Sequence, residues 1–276
     1  MATLPSHPAS LQPSAATDAP AVQDDRLTVW AIAALAFMIS SVLTEATHAV
    51  VALRTIAPLG MMTSAGWSSA YENVASEIAA PLANLAAAVV FWLLLRAFKT
   101  ASVRARLFLL LSFAFNALTA TAYVGFLGLT DYGDWYSVLL GVVAWTPARL
   151  LLLIGGVLAW CAAIFVLGSA LTHSMQRRRF RRIMLLAFVS AVVIACVAAA
   201  VNRLGIEFVL LSDLPITVVA QVGLLLVPFV LRRSASPAAN PETITRSPIW
   251  IRVSAVCALA FIAVLGRGII LTGKLQ

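Results

Sequence analysis

Seven apolar runs dominate this chain, and each is long enough to cross a membrane as a helix. They lie at about 27–53, 78–95, 107–129, 150–171, 183–201, 208–231 and 251–271. About 20 predominantly apolar residues span the hydrocarbon core of a bilayer. Within that core, a single segment satisfies its own backbone polar groups only as a helix. We therefore predict an all-α fold, a polytopic membrane helix bundle of about seven transmembrane helices, with six as the alternative.

The composition supports a membrane protein and argues against a nucleic-acid-binding one. Hydrophobic residues make up 62% of the chain and charged residues 11%, whereas about 25% of residues are charged in a soluble domain. The net charge of +8 comes from basic residues in the short gaps between the apolar runs, which is typical of membrane topology. We expect the lipid bilayer as a partner, and no nucleic acid. The three cysteines, Cys161, Cys196 and Cys257, lie inside apolar runs without metal-ligand spacing.

The distribution of basic residues predicts the orientation. Of the 19 Lys and Arg residues, 14 precede the first run or fall in every second gap after it, and cytoplasmic loops are enriched in such residues. We predict a multi-pass protein of a bacterial inner (cell) membrane, with a cytoplasmic N-terminus and the C-terminus outside. Residues 1–25, rich in Ala, Pro and Ser, are predicted to be a disordered cytoplasmic tail, and 26–276 a single transmembrane domain.

A polar stripe interrupts the first apolar run between Ser40 and His48. Glu45 and His48 are three residues apart and share one helix face with Thr44. Ionisable side chains are costly at membrane depth, so this pair is a functional-site hypothesis. A carboxylate and an imidazole at this spacing could ligate a metal, relay a proton or hydrogen-bond each other.

The predicted topology also collects acidic residues on the outer side. Seven of the 11 acids fall there: Glu45, Glu72, Glu77, Asp131, Asp134, Glu207 and Asp213. Because Glu45 and Asp213 lie within apolar runs, we expect them to contribute to one polar cavity. The gaps at 54–77 and 130–148 carry Trp and Tyr, and are predicted to be interfacial loops or re-entrant segments.

The stripe resembles the His-Glu-x-x-His helix of intramembrane zinc metallopeptidases of the site-2 protease type. In Thr44-Glu45-Ala46-Thr47-His48, threonine stands where the first histidine belongs. The segment Ala79 to Leu85, with Pro81 and Asn84, is similar to the Gly-Pro-x-x-Asn segment that opens the next membrane helix in such proteins. Phe115-Asn116 and Gly133-Asp134-Trp135 resemble elements of shorter bacterial relatives. The resemblance covers about residues 35 to 150.

This resemblance implies roles for individual residues. Glu45 would be the general base if the protein is active, while His48 and Asp134 would be zinc ligands. The remaining polar-groove residues would be Thr44, Asn84, Asn116, Asp131 and Asp213. A catalytic zinc usually takes three protein ligands, and a threonine hydroxyl is a poor substitute for imidazole. We therefore expect a non-catalytic protein without a cofactor, and zinc only if the protein is active.

Four functions stay open, in this order of preference. The first is a non-catalytic metallopeptidase relative whose polar groove binds a membrane-embedded protein partner or a lipid-like ligand. The second is a structural membrane protein in which Glu45 and His48 join helices. The third is a small proton-coupled transporter that uses Glu45, His48 and Asp213. The last is an active membrane metallopeptidase that recruits Glu207 or Asp213 as a substitute ligand.

Overall fold

A computed structural model describes residues 23–55, 58–69, 74–129, 146–171, 177–205, 209–210, 214–230 and 242–273. Over these residues the chain forms seven α-helices and three short strands. The helices are α1 (Arg26–Thr55), α2 (Val74–Ala97), α3 (Val103–Leu129), α4 (Thr146–Leu171), α5 (Arg177–Ala200), α6 (Leu214–Val230) and α7 (Pro248–Ala260). The strands are β1 (Leu59–Met62), β2 (Trp67–Ser69) and β3 (Ile269–Thr272).

The helices confirm the predicted all-α polytopic bundle. Six of them are long and apolar enough to cross a membrane, and α6 is a shorter apolar helix of 17 residues. At 1.5 Å per residue, α6 is about 26 Å long. The sidedness and the identity of the membrane stay predictions, and so does the disordered tail, since residues 1–22 lie outside the described ranges.

The helices begin up to six residues away from the starts of the apolar runs, and two of these starts involve a proline. Helix α2 begins at Val74, so Pro81 lies inside it rather than opening it. Helix α6 begins at Leu214, directly before Pro215. Proline suits the first turn of a helix because the missing N–H has no intrahelical partner there. Residues 206–208 and 211–213, at the start of the predicted run, lie outside the described residues.

The seventh run was predicted as one helix to 271, but it ends as a strand. Helix α7 continues as a π-helix from Phe261 to Gly266. The chain then turns at Gly268, whose φ of 86° is a left-handed conformation that glycine adopts without steric cost. Strand β3 follows, beginning with the β-branched residues Ile269 and Ile270, which favour extended backbone.

The three strands form one antiparallel sheet in the order β2-β1-β3. Strands β1 and β2 make a hairpin within the gap at 54–77, where we had predicted an interfacial loop or re-entrant segment. Strand β3 pairs with the other edge of β1, Leu59 lying opposite Thr272. The hairpin turn is held to the π-helix by a hydrogen bond from the Ser64 N–H to the Leu265 carbonyl oxygen, at 2.8 Å. We call this end of the bundle the sheet end, and the end where α1 begins the basic end.

Helix α1 is the central helix of the bundle. It packs against α2, α3, α5 and α7, and 61% of its most apolar 18-residue window is buried, against 17% for α4. Its core face includes Phe37, whose ring contacts Phe115 of α3 edge-on with centroids 5.6 Å apart. Helix α3 approaches α4 closely at Gly156, where an added Cβ would lie 2.1 Å from the backbone nitrogen of Gly125. Any polar side chain on the inward face of α1 is therefore held among packed helices.

An ion pair ties three segments together at the basic end. Arg179 of α5 donates from Nε and Nη2 to the two carboxylate oxygens of Asp24, at 2.6 and 2.7 Å. Asp24 also accepts the backbone N–H of Ile244, and Arg179 donates to the carbonyl of Glu242. Asp24 thus belongs to the folded unit, although we had placed it in the tail.

Asp25 caps the first turn of α1. Its carboxylate accepts hydrogen bonds from the hydroxyl and the backbone N–H of Thr28, at 2.7 and 2.8 Å. Because these bonds favour the ionised form, they lower the pKa of Asp25 below its ordinary value, the Thr28 hydroxyl having the largest effect. The helix therefore starts at a defined residue.

Candidate functional site

The polar stripe of α1 lies inside the bundle. Thr44, Glu45 and His48 are 4%, 5% and 4% exposed, and Ser40 is also buried. Their spacing of three and four residues puts them on one helix face, the face turned towards the packed helices. The sequence thus brings a carboxylic acid and an imidazole into the interior of a membrane protein.

A small cavity adjoins this stripe, and Glu45 forms part of its wall. The space in it that water can occupy is about 30 Å³, which is room for a very few water molecules. From α1 it is lined by four polar residues: Ser40, Ser41, Thr44 and Glu45. From other elements it is lined by four hydroxyl-bearing residues: Ser64, Thr119, Tyr123 and Thr217.

Glu45 is the one carboxylic acid among the described residues that line the cavity. Its other lining residues are apolar: Phe37, Ala195, Ala220 and Phe261. None of the twelve described lining residues is Lys, Arg or His. His48 lies on the same face of α1, one turn nearer the sheet end.

Thr44 is held in place by Asn84 of α2. The side-chain amide of Asn84 donates to the Thr44 hydroxyl oxygen at 2.7 Å, and that hydroxyl donates to the Ser40 carbonyl at 3.0 Å. Asn84 is fully buried, and its Oδ1 accepts no hydrogen bond from the described residues. Both residues were predicted to be groove residues, and the structure brings them into contact.

Thr119 of α3 is held in the same way by Gln221 of α6. The Gln221 amide donates to the Thr119 hydroxyl oxygen at 3.0 Å. Gln221 is 1% exposed, and its Oε1 accepts no hydrogen bond from the described part of the chain. The sequence reasoning missed both residues. The signal for Gln221 was present, because it is the single amide in the apolar helix α6, and buried polar side chains in membrane helices need partners.

The other predicted site residues divide into two groups. Asn116 is fully buried on α3, where its amide donates to the Ser112 carbonyl of its own helix at 2.8 Å, and it does not line the cavity. Asp131, Asp134, Glu207 and Asp213 lie outside the described residues. Their predicted roles beside Glu45 and His48 stay predictions.

The described residues contain only part of the zinc site that the resemblance implies, because Asp134 lies outside them. Thr44, in the place of the first histidine, has its hydroxyl engaged by Asn84 and the Ser40 carbonyl. Within the described ranges, no group of three or more His, Cys, Asp or Glu side chains comes together in a form that could hold a metal ion. His48 is the single described member of the implied ligand pair.

Comparison of the chain with protein-family models, with curated proteins and with solved structures found no match. The structure therefore defines the class: a multi-pass membrane helix bundle with a buried, carboxylate-containing polar cavity. The relationship to zinc metallopeptidases stays a prediction from residues 35 to 150.

Proposed function

We propose that the protein is a membrane carrier of small monovalent cations, protons included, and that Glu45 is its cation-binding carboxylate. The observation that supports this most directly is the small cavity in which the Glu45 carboxyl group lies among seven hydroxyl-bearing residues inside a helix bundle. Ionisable residues inside membrane proteins mark ion pathways and proton relays, because their burial is too costly for a packing role alone.

The size of the cavity favours a small ion over the other predicted ligands. Pockets for drug-sized molecules occupy about 300–1,000 Å³, against about 30 Å³ of water space here. A peptide, a lipid chain or a protein partner would need a groove that the described residues do not form at Glu45. Binding of a membrane-embedded partner or lipid-like ligand in the polar groove of a non-catalytic metallopeptidase relative stays a prediction.

A purely structural role is the second candidate, and it has support of its own. The interhelical pairs Asn84–Thr44 and Gln221–Thr119 join α2 to α1 and α6 to α3. Both pairs are neutral, however, and such bonds are worth about 0.6–2 kcal/mol in membrane proteins. They explain the amides and hydroxyls of the site, but a carboxylic acid adds a burial cost that helix association does not need.

The carrier proposal includes an orientation. With the basic end in the cytoplasm of a bacterial cell, as the basic residues predict, the sheet end faces outwards. Glu45 lies ten residues from the end of α1 at Thr55, about 15 Å along the helix axis, beneath the hairpin turn that carries Ser64.

Ion flux in proteoliposomes tests the proposal. We expect a vesicle with entrapped pH-sensitive dye, in mixed sodium and potassium chloride, to change its internal pH under an imposed membrane potential faster than an empty vesicle. Glu45→Gln should abolish this flux. Glu242→Gln is the matched control, because Glu242 is an exposed acid at the basic end. Equal flux through Glu45→Gln and the parent protein, or none above empty vesicles, would refute the proposal.

A further inference from the structure

The basic end of the bundle carries an excess of positive charge. Ten basic side chains and three acidic ones are described there. The basic ones are Arg26, Arg96, Lys99, Arg104, Arg106, Arg179, Arg181, Arg182, Arg246 and Arg252, and the acidic ones are Asp24, Asp25 and Glu242. Arg179 forms an ion pair with Asp24, and none of the other nine basic side chains forms such a pair with a described acid. The described side chains of this end therefore have a net charge of +7.

Two tryptophans indicate that this end lies at the level of the lipid headgroups. The Ser247 N–H donates to the Thr28 hydroxyl oxygen at 3.0 Å, so α7 and α1 begin at the same level. Trp30 and Trp250 follow these two residues within three positions, and both are half-buried. Tryptophan is enriched at membrane–water interfaces, where the polar headgroups lie. Basic side chains at this level are therefore within reach of lipid phosphates.

A pair of aromatic rings joins α7 to α3 at this level. The rings of Trp250 and Phe108 contact each other with centroids 5.6 Å apart, and both helices pack against α1. Arg104 lies four residues before Phe108, and Arg246 lies four residues before Trp250. Both arginines therefore lie nearer to the basic end than the rings, by about one helical turn in the case of Arg104. We call these four residues the arginine notch.

The arginine notch is accessible to a negatively charged ligand. Arg246 is exposed and Arg104 is half-buried, and Arg106 and Arg252 are exposed on the same two segments. The cap hydrogen bonds described above lower the pKa of Asp25 most, and the charge of Arg246 lowers it further. Asp25 thus balances part of the charge of Arg246, whereas Arg104 has no ion pair with a described acid.

An anionic phospholipid has the chemistry that fits this place. Guanidinium groups bind phosphate through paired N–H donors, and basic pockets between transmembrane helices bind anionic lipid headgroups. Further along α7 the outward face is apolar, with Val253, Val256 and Leu259 exposed by 44%, 65% and 70%. The acyl chains of a lipid would lie along this face, while its phosphate stays at the level of the arginines.

We infer that the arginine notch binds the phosphate of an anionic phospholipid with the headgroup chemistry of phosphatidylglycerol. Arg104 and Arg246 supply the positive charge, and Trp250 packs at headgroup level beside them. Each arginine near the membrane surface strengthens the attraction of anionic lipid about fivefold. The notch lies at the end of the bundle away from the hairpin turn, so the inference does not depend on the carrier proposal.

Native mass spectrometry of the purified full-length protein in a neutral detergent tests this inference. Phosphatidylglycerol and phosphatidylcholine with the same acyl chains are the probes, each added over a range of concentrations. We expect phosphatidylglycerol to reach half-saturation at an about 25-fold lower concentration than phosphatidylcholine, which is the product of two fivefold effects. Arg104→Gln and Arg246→Gln should each weaken phosphatidylglycerol binding about fivefold and leave phosphatidylcholine binding unchanged.

Arg181→Gln is the matched control, because Arg181 is an exposed arginine at the same end of the bundle but lies on α5, outside the notch. Its loss should leave the affinity for phosphatidylglycerol unchanged. Arg104→Lys keeps the positive charge and should retain most of the affinity, so a loss in Arg104→Gln is then due to charge and not to misfolding. Inorganic phosphate at matched ionic strength should not displace the lipid, because it lacks the apolar contacts.

Three results would overturn the inference. The first is equal affinity of the parent protein for the two lipids. The second is equal weakening by Arg181→Gln and Arg104→Gln, which would show attraction by the total charge of this end and not by the notch. The third is displacement of the lipid by inorganic phosphate, which would show a site for the free anion. None of these results bears on the carrier proposal, which depends on Glu45 and is tested by ion flux.

Discussion

The hydrogen bond between Thr44 and Asn84 leads to a prediction about the free energy of unfolding. The direction of each change in that free energy is more informative than its magnitude. Thr44→Val keeps the shape of the side chain but removes the hydroxyl oxygen that accepts the Asn84 amide at 2.7 Å. Asn84 Oδ1 already accepts no hydrogen bond from the described residues. In Thr44→Val, the fully buried side-chain amide of Asn84 would also lose the oxygen to which its N–H group donates. Leaving a buried polar group unsatisfied costs about 1–3 kcal/mol, and we expect Thr44→Val to lower the free energy of unfolding by that amount.

Asn84→Leu should cost less, because the Thr44 hydroxyl keeps its bond to the Ser40 carbonyl and the unsatisfied amide oxygen is removed. Replacing both polar partners by apolar groups of similar shape is often nearly neutral. We therefore expect the double variant Thr44→Val/Asn84→Leu to be more stable than Thr44→Val alone, by about 1 kcal/mol or more. The two substitutions would then be strongly non-additive.

Unfolding by sodium dodecyl sulfate in mixed micelles, followed by tryptophan fluorescence, gives the four free energies of this cycle. Thr47→Val is a control, because the Thr47 hydroxyl bonds only within α1, to the Leu43 carbonyl at 2.7 Å; its effect should add to that of Asn84→Leu. A double variant that loses the full sum of the two single losses would show that Asn84 and Thr44 do not stabilise each other as described.

Three further predictions concern the scaffold. Gly156→Ala should destabilise the bundle by about 1–3 kcal/mol, because the added methyl group meets the backbone of Gly125. The control Gly155→Ala has nothing within 4 Å of the new Cβ, so it should be neutral or stabilising in the same unfolding assay. Equal losses of stability in the two variants would refute the close α3–α4 contact. Arg179→Lys should lower the thermal midpoint, because lysine does not reproduce the two-atom contact with Asp24, and Arg181→Lys, at an exposed position, should not. Asp25→Ala should cost about 0.5–2 kcal/mol at neutral pH through loss of the helix cap. Because the hydrogen bonds from Thr28 lower the folded-state pKa of Asp25 below its ordinary value, the stabilisation is fully present above that ordinary value and is lost as the pH falls through the lower folded-state pKa. The parent and Asp25→Ala should therefore have the same stability only in acid.

The helices of the bundle could be predicted from the sequence because the bilayer imposes both their length and their apolar composition. The sheet could not. Strand β1 is the four residues Leu-Gly-Met-Met, without the alternation of a half-buried strand, and its partner β3 lies about two hundred residues further along the chain. Ile269 and Ile270 continue the apolar run of the last helix, so no change of composition marks the end of α7.

The site was predictable in part, for a similar reason. Glu45 and His48 were found because charged groups are rare in apolar helices, and their burial follows from the cost of exposing them to lipid. Threonine is ambiguous by comparison, since its hydroxyl can bond to its own helix, as Thr121 does with Ala117, or to another helix, as Thr119 does with Gln221. The packing of the helices decides which of these bonds a threonine makes, and the spacing of residues along one helix does not reveal the outcome.

The pairing of β3 with β1 has a consequence for biosynthesis. The hairpin is translated soon after α1, but strand β3 is translated about two hundred residues later, and it can pair with β1 only after α7 has been made. Contacts between distant segments form late, because the chain between them must be ordered first. A chain that stalls before α7 would keep an unpaired strand edge on β1, of the kind that favours aggregation. The three-stranded sheet would thus form only in chains in which α7 has already been made and placed beside α1.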